Sequence, residues 1–300
     1  LCIKKKGWYN KMLVAKVNGV NHIYEFPHQK FWNTTARFQQ VVRLKKGMNR
    51  IELSNPVTCR ADSAALQYYK MGQALKKATA RVAKENNEEV KPITFSICEW
   101  GLNKPYKWGA KAGNLWRTTP DINPCWKWII MLYRHTAKLH EYSSIGAWND
   151  PDMLEVGNGK LTYEQNKSHF SLWCMMNAPL ILGNDLRCIK QDVLDIVTNK
   201  NLISINQDPL GKQAKLMKKG SIDILAKPLS GNRTAICLFN SKKGKKQASV
   251  DLQTLVNDKY VQMNHKNSYT LTEQWTGETV ETNGKFKTEL DGYSVKVYIV

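Results

Sequence analysis

The chain is short of acidic residues, of paired cysteines and of long apolar runs, and each shortage excludes a class of function. Lys and Arg total 45 against 25 Asp and Glu, a formal net charge of +20 over 300 residues. The excess is scattered, with short clusters at residues 4–6, 218–219 and 242–246. Such a surface reads either as a nucleic-acid footprint or as a solvated Lys-rich exterior. No nucleic-acid motif accompanies it, so no nucleic-acid partner is expected, although weak adhesion to anionic polymers is. The seven cysteines form no CxxC pair and no metal-ligand spacing, so neither a metal nor a cofactor is expected. Cys98 and Cys174 lie in apolar runs, and most of the seven read as small buried hydrophobes rather than as a disulfide framework. No run of about 18 apolar residues occurs, so no membrane span is expected. The chain opens on Leu1 without an apolar leader, as a segment cut from a longer protein would.

What is present divides into three stretches. In the first, residues 12–17 are mostly apolar, Asn18-Gly19 is a turn signal, 37–44 alternates, and Lys46-Gly47 leads into 49–53. These are antiparallel strands, too few to bury two sheets, so residues 1–55 are expected to be part of a β-sandwich. In the second stretch, residues 56–213, a helix is expected over 63–84 with Asp62 or Ser63 as its cap, then a strand over 92–98 and a helix over 124–139. A short strand at 146–148 follows, then a helix opened by a Thr162/Gln165 capping box, a strand at 179–182 and a helix at 192–198. Four strand-then-helix units of this kind make half of a (β/α)8 TIM barrel, an α/β fold with parallel strands. In the third stretch, residues 214–300, five alternating runs at 222–226, 234–239, 248–252, 270–275 and 294–300 predict a C-terminal antiparallel β-sandwich.

The chemistry lies where apolar runs of the half-barrel end. The runs at 92–99, 114–121, 145–152 and 178–185 each close on polar or acidic residues, which puts Glu99, Asp121 and Asp152 on one rim, with Arg117 four residues before Asp121. Carboxylates brought together repel, so one of them binds its proton more tightly and can donate it. A glycosidase needs that acid at the leaving oxygen and a second carboxylate at the anomeric carbon. Rim acids also simply cap helices and pair with Lys. Trp100, Trp108, Trp116 and Trp148 flank the same strand ends, as sugar-stacking platforms or as core.

The stretches Ser96-Ile97-Cys98-Glu99-Trp100-Gly101, Trp116-Arg117-Thr118-Thr119-Pro120-Asp121-Ile122 and Trp148-Asn149-Asp150-Pro151-Asp152-Met153-Leu154 resemble the family-27 glycoside hydrolases, the α-galactosidases and α-N-acetylgalactosaminidases. Gly183-Asn184-Asp185-Leu186-Arg187 and Ile205-Asn206-Gln207-Asp208-Pro209-Leu210-Gly211 continue the match in order. The resemblance implies retaining hydrolysis of terminal α-galactosides, in oligosaccharides or polysaccharides, by a protein that is secreted or periplasmic. It implies that Asp121 is the general acid/base, that Glu99 and Arg117 hold the sugar 2-hydroxyl, and that Leu102 favours galactose over its N-acetylated analogue. Asp152 and Met153 match pocket-lining positions; helix capping and core contact are the other reading of both. Two departures accompany the match. No Lys-Tyr-Asp-like stretch is present, which implies that the nucleophile lies upstream of this chain and that the chain alone is inactive. Gly113 stands where some members carry a cysteine bridged to the one matching Cys98, so that bridge cannot form. Residues 15–21, Trp32 and 41–53 resemble the last strands of a carbohydrate-binding module inserted in the barrel, with Trp8, Tyr9 and Trp32 as sugar platforms or core.

Overall fold

The computed structural model describes residues 12–25, 41–55 and 60–300. They fall into two compact units, one running to residue 95 with 111–113 added, the other comprising 96–110 and 114–300. Trp8, Tyr9, Trp32 and residues 37–40 lie outside the described residues.

In the first unit, strands β1 (Met12–Val17), β2 (Val20–Glu25) and β3 (Ile51–Ser54) form an antiparallel sheet in the order β2-β1-β3. Asn18 and Gly19 turn the β1–β2 hairpin with φ of 50° and 89°, the two positive values that a tight hairpin with right-handed strand twist requires. Ala15, Val17 and Tyr24 are buried, whereas all of β3 is exposed. Residues 41–44, expected as the end of a strand, belong to no strand. Helix α1 (Arg60–Asn86) starts before the anticipated caps, so Asp62 sits inside its first turn. It stops at Asn87, whose φ is 54°, with Glu88 N–H donating to the Ala83 carbonyl at 2.9 Å. This left-handed cap satisfies carbonyls that the last turn would leave bare.

In the second unit, β4 (Ser96–Ile97), β5 (Leu115–Arg117) and β6 (Trp148–Asp150) pair in parallel. The expected fourth strand at 179–182 is reduced to one parallel bridge between Leu154 and Leu182. The strand expected over 92–98 is likewise two residues long, because a strand exists only where a neighbour completes its ladder. Helices α2 (Trp126–Thr136), α3 (Tyr163–Met175), α4 (Gln191–Val197) and α5 (Lys200–Asn206) accompany these strands. The Thr162/Gln165 capping box opens α3 as expected. Ten of the thirteen α3 residues are buried, so α3 is enclosed on nearly every side.

Helices α2, α4 and α5 enclose α3 together with the C-terminal sandwich. Strands β7 (Lys215–Lys218), β8 (Ile222–Leu229) and β9 (Arg233–Asn240) are joined by β10 (Lys246–Asp251), β11 (Tyr269–Glu273), β12 (Thr279–Thr282), β13 (Lys285–Leu290) and β14 (Val295–Ile299). They make a six-stranded antiparallel sheet, β12-β11-β14-β9-β8-β7, and a two-stranded β10-β13 sheet. Alternate residues of the large sheet serve two cores. Ile224, Ile236 and Leu238 pack with Val250 and Phe286 inside the sandwich, while Leu225, Cys237 and Phe239 pack with Tyr133 and Trp173 of the barrel helices. Both faces are covered, so all of β8 and all of β9 except Arg233 are buried, rather than alternate residues. Among the described cysteines, Cys174 and Cys237 are buried, but Cys98, Cys125 and Cys188 are exposed. Among these five the expectation of buried thiols holds for Cys174 and Cys237 and not for the other three, which follow a strand end, precede α2 and lie in a short helical turn.

Candidate active site

The site forms where β4, β5 and β6 end together. Beyond β4 the chain reverses through Trp100 and Gly101, with φ of 49° and 76°, and Gly101 N–H donates to the Arg117 carbonyl at 3.1 Å. A Cβ at Gly101 would strike the Thr118 carbonyl, so glycine lets this loop lie against β5. The turn presents Glu99, whose carboxylate accepts a hydrogen bond from the Asn103 side-chain amide. The Asn103 backbone carbonyl accepts in turn from the Trp108 indole at 3.0 Å. Leu102 is 68% exposed.

Arg117 is the last residue of β5, and its side chain is only 12% exposed. Its Nη2 donates to Asp121 Oδ1 at 3.1 Å and to Asp152 Oδ2 at 2.6 Å. Its Nε is buried without a hydrogen-bond partner among the described residues. The Asp121 carboxylate is 67% exposed, while its backbone carbonyl is fixed by the Trp128 indole at 2.8 Å. Asp121 is therefore held at its base and open at its tip.

Asp152 is turned inward. Its Oδ2 also accepts Ile122 N–H, its Oδ1 accepts Met153 N–H, and its carbonyl accepts the Trp173 indole, each at 2.8 Å. It adopts φ of 92°, a conformation rare for a residue with a side chain. Met153 packs against the core around Gly183. The structure thus joins Arg117, Asp121 and Asp152 in one ion-paired cluster, with Glu99 bonded to Asn103 instead.

Two residues of this neighbourhood escape the sequence reading. Asn103 lacks any motif of its own. Asp150 enters there only as part of a matching stretch, yet it is the crowded carboxyl that is pushed up, to about 6. Burial raises it, the Asp152 N–H and the Arg117 charge oppose that, and the Asp152 carboxylate adds to it. The available signal is Asp150-Pro151-Asp152, two acids spaced so that one can accept from the backbone of the other. Among the described residues no three His, Cys, Asp or Glu side chains converge as a metal site would require, and no helix is long and apolar enough to cross a membrane.

Comparison with known proteins agrees along most of the chain. Residues 61–208 match the model described as alpha galactosidase A, and residues 219–300 the one described as alpha galactosidase C-terminal beta sandwich domain. Alpha-galactosidase 3 of Arabidopsis thaliana is 36% identical over 222 residues, covering 71% of this chain and 49% of that protein. A probable alpha-galactosidase of Dictyostelium discoideum is 46% identical over 158 residues, covering 52% and 41%. A crystal structure of a putative alpha-galactosidase/melibiase from Bacteroides fragilis superposes with a TM-score of 0.69 at 35% identity, over 80% of this chain and 51% of that one. Alpha-galactosidase I of Mortierella vinacea, at 22% identity and a TM-score of 0.66, shares the fold. The chain spans about half the length of the curated relatives it matches. With the half-barrel and the sandwich each matched in sequence and in structure, the chain belongs to the α-galactosidase-like family-27 glycoside hydrolases.

Proposed function

We propose that this chain supplies the acid/base half of a retaining α-galactosidase site, which releases terminal non-reducing α-D-galactosyl residues from oligosaccharides or polysaccharides. The observation that carries the reading is the Arg117 guanidinium, held between the exposed Asp121 and the anchored Asp152 at adjacent strand ends. In this reading Asp121 protonates the glycosidic oxygen as the bond to the anomeric carbon breaks. A carboxylate on sequence outside this chain takes up the sugar, and Asp121 then removes a proton from the water that frees it. Glu99 and Arg117 hold the 2-hydroxyl, Leu102 crowds out an N-acetyl group, and Asp152 and Met153 line the pocket. Domain boundaries near residues 55 and 213, an inserted carbohydrate-binding module ahead of the first, and a site of action outside the cytoplasm belong to the same proposal.

The test uses protein made from the complete coding region. It should hydrolyse aryl α-galactosides well and the matching α-N-acetylgalactosaminides poorly. Asp121→Asn should lower kcat/KM by about 10²–10⁴ for substrates with poor leaving groups, and far less for activated aryl groups that need no proton. Equal loss across leaving groups overturns the acid role.

A further inference from the structure

Asp150 has no part in the reaction as just described, yet the loop that carries Asp152 is built around it. It closes β6, where its backbone carbonyl accepts both the N–H and the hydroxyl of Thr118, at 2.8 and 3.1 Å. Its side chain is buried, and Oδ1 accepts Asp152 N–H at 2.8 Å. Residue 152 is thereby kept at φ of 92°, which an L-residue leaves unless its surroundings hold it. With the backbone in that state Asp152 Oδ2 meets Arg117 Nη2, the atom that also holds Asp121.

We propose that Asp150 is a positioning residue for the reaction: its carboxylate grips the Asp152 N–H, holds residue 152 in the left-handed conformation, and so aims Asp152 at Arg117 and Arg117 at Asp121. The inference rests on the roles assigned above to Asp121 and Arg117. The charged groups acting on Asp150 are Arg117, reaching it from β5, and Asp152 of its own loop. Both the grip and the attraction to Arg117 are strongest when Asp150 is ionised, which burial delays until pH rises through about 6.

Four forms of the full-length protein test this: Asp150→Ala, Asp150→Asn, Asp152→Gly, and Asp150→Ala combined with Asp152→Gly. Glycine accepts φ of 92° without strain, so it removes the need for the grip. Asp150→Ala should lower kcat/KM on an aryl α-galactoside about a hundredfold. Asp150→Asn, which keeps an acceptor, should recover most of that while losing the inflection near pH 6 in kcat/KM. In the Asp152→Gly background Asp150→Ala should have no further effect on kcat/KM or on Tm. The proposal is overturned if Asn is no better than Ala, or if the losses from positions 150 and 152 multiply. A parent protein without galactosidase activity would sink the functional reading alone. The Tm comparison would then decide the positioning role, which fails if Asp150→Ala costs as much in the Asp152→Gly background as in the parent. Where Asp150→Ala yields no folded protein, recovery of folded protein in the double variant supports the grip and its absence overturns it.

Discussion

The strand-end rim and the C-terminal sandwich differ in how completely their charged groups are met: Asp152 is saturated at the rim, but among the described residues Asp121 and one Arg117 nitrogen are not. In the sandwich and at its joint with the barrel helices, buried charges are met by several partners each. Glu273 accepts the N–H groups of Trp275, Thr276 and Val297. Asp208 accepts Leu210 N–H and both the N–H and the hydroxyl of Ser230. Lys227, fully buried, donates to Asn177 Oδ1 and to the Ile205 carbonyl, and burial pushes it down to about 7. At the rim, the Arg117 Nε is buried without a partner among the described residues and the Asp121 carboxylate is largely open. A saturated polar network specifies packing, whereas spare hydrogen-bonding capacity beside an open carboxylate marks where a ligand's hydroxyls belong.

Substitutions can break that contrast, and the largest effect is expected at the rim. Arg117→Ala should cut kcat/KM on aryl α-galactosides by about 10²–10³. It also removes the cation beside the mostly buried Asp152, but that carboxylate keeps the Ile122 and Met153 N–H groups, so Tm should fall less than for Arg134→Ala; an equal or larger fall would erase the distinction. The converse is Arg134→Ala. Arg134 Nε meets Asp223 Oδ2 at 3.1 Å, with the Asp223 side chain wholly buried, and stranding that charge should cost about 3–5 kcal/mol, or roughly 10 °C of Tm, with kcat of the folded enzyme intact.

Next in size is a pH effect inside the barrel helices. His169 is buried, accepts Glu155 N–H on Nε2 at 3.0 Å, and is pushed down by burial to about 3. Its folded-state value lies below the unfolded one, so the unfolded chain binds the extra proton as pH falls from about 6.5 toward 3. The stability is present above that window and is lost through it. His169→Gln keeps an acceptor and should flatten the acid limb of a Tm-against-pH curve, while an unchanged limb would show that other groups control it. Smallest is Thr162→Ala, which removes the α3 capping box and should cost about 1 kcal/mol, read as a shift of about 2–4 °C in Tm.

Features that close within one turn are legible from the chain alone. The Thr162/Gln165 box and the Asn18-Gly19 turn appear where their residues predict them. The strands at 92–98 and 179–182 shrink to two residues and a single bridge, because pairing is decided by neighbours distant in sequence. Helix α5 escapes the sequence reading although Asn199 caps it by accepting Leu202 N–H at 3.0 Å, whereas α4, of the same seven-residue length, is expected. At the rim, Glu99, Arg117, Asp121 and Asp152 can be named from their order and spacing. Nothing in that order tells that Asp150 holds residue 152 in a left-handed turn, which depends on the depth to which β6 is buried.

The sequence by itself determined the half-barrel and sandwich architecture and the roster of rim residues, because apolar periodicity and local motifs are properties of neighbouring positions. Only the tertiary structure decided that one Arg117 nitrogen serves two carboxylates, that Asp150 has its proton held by burial, and that the large sheet of the sandwich serves two cores. Those outcomes depend on distance and on exclusion of water, and both arise only once separate segments of the chain have packed.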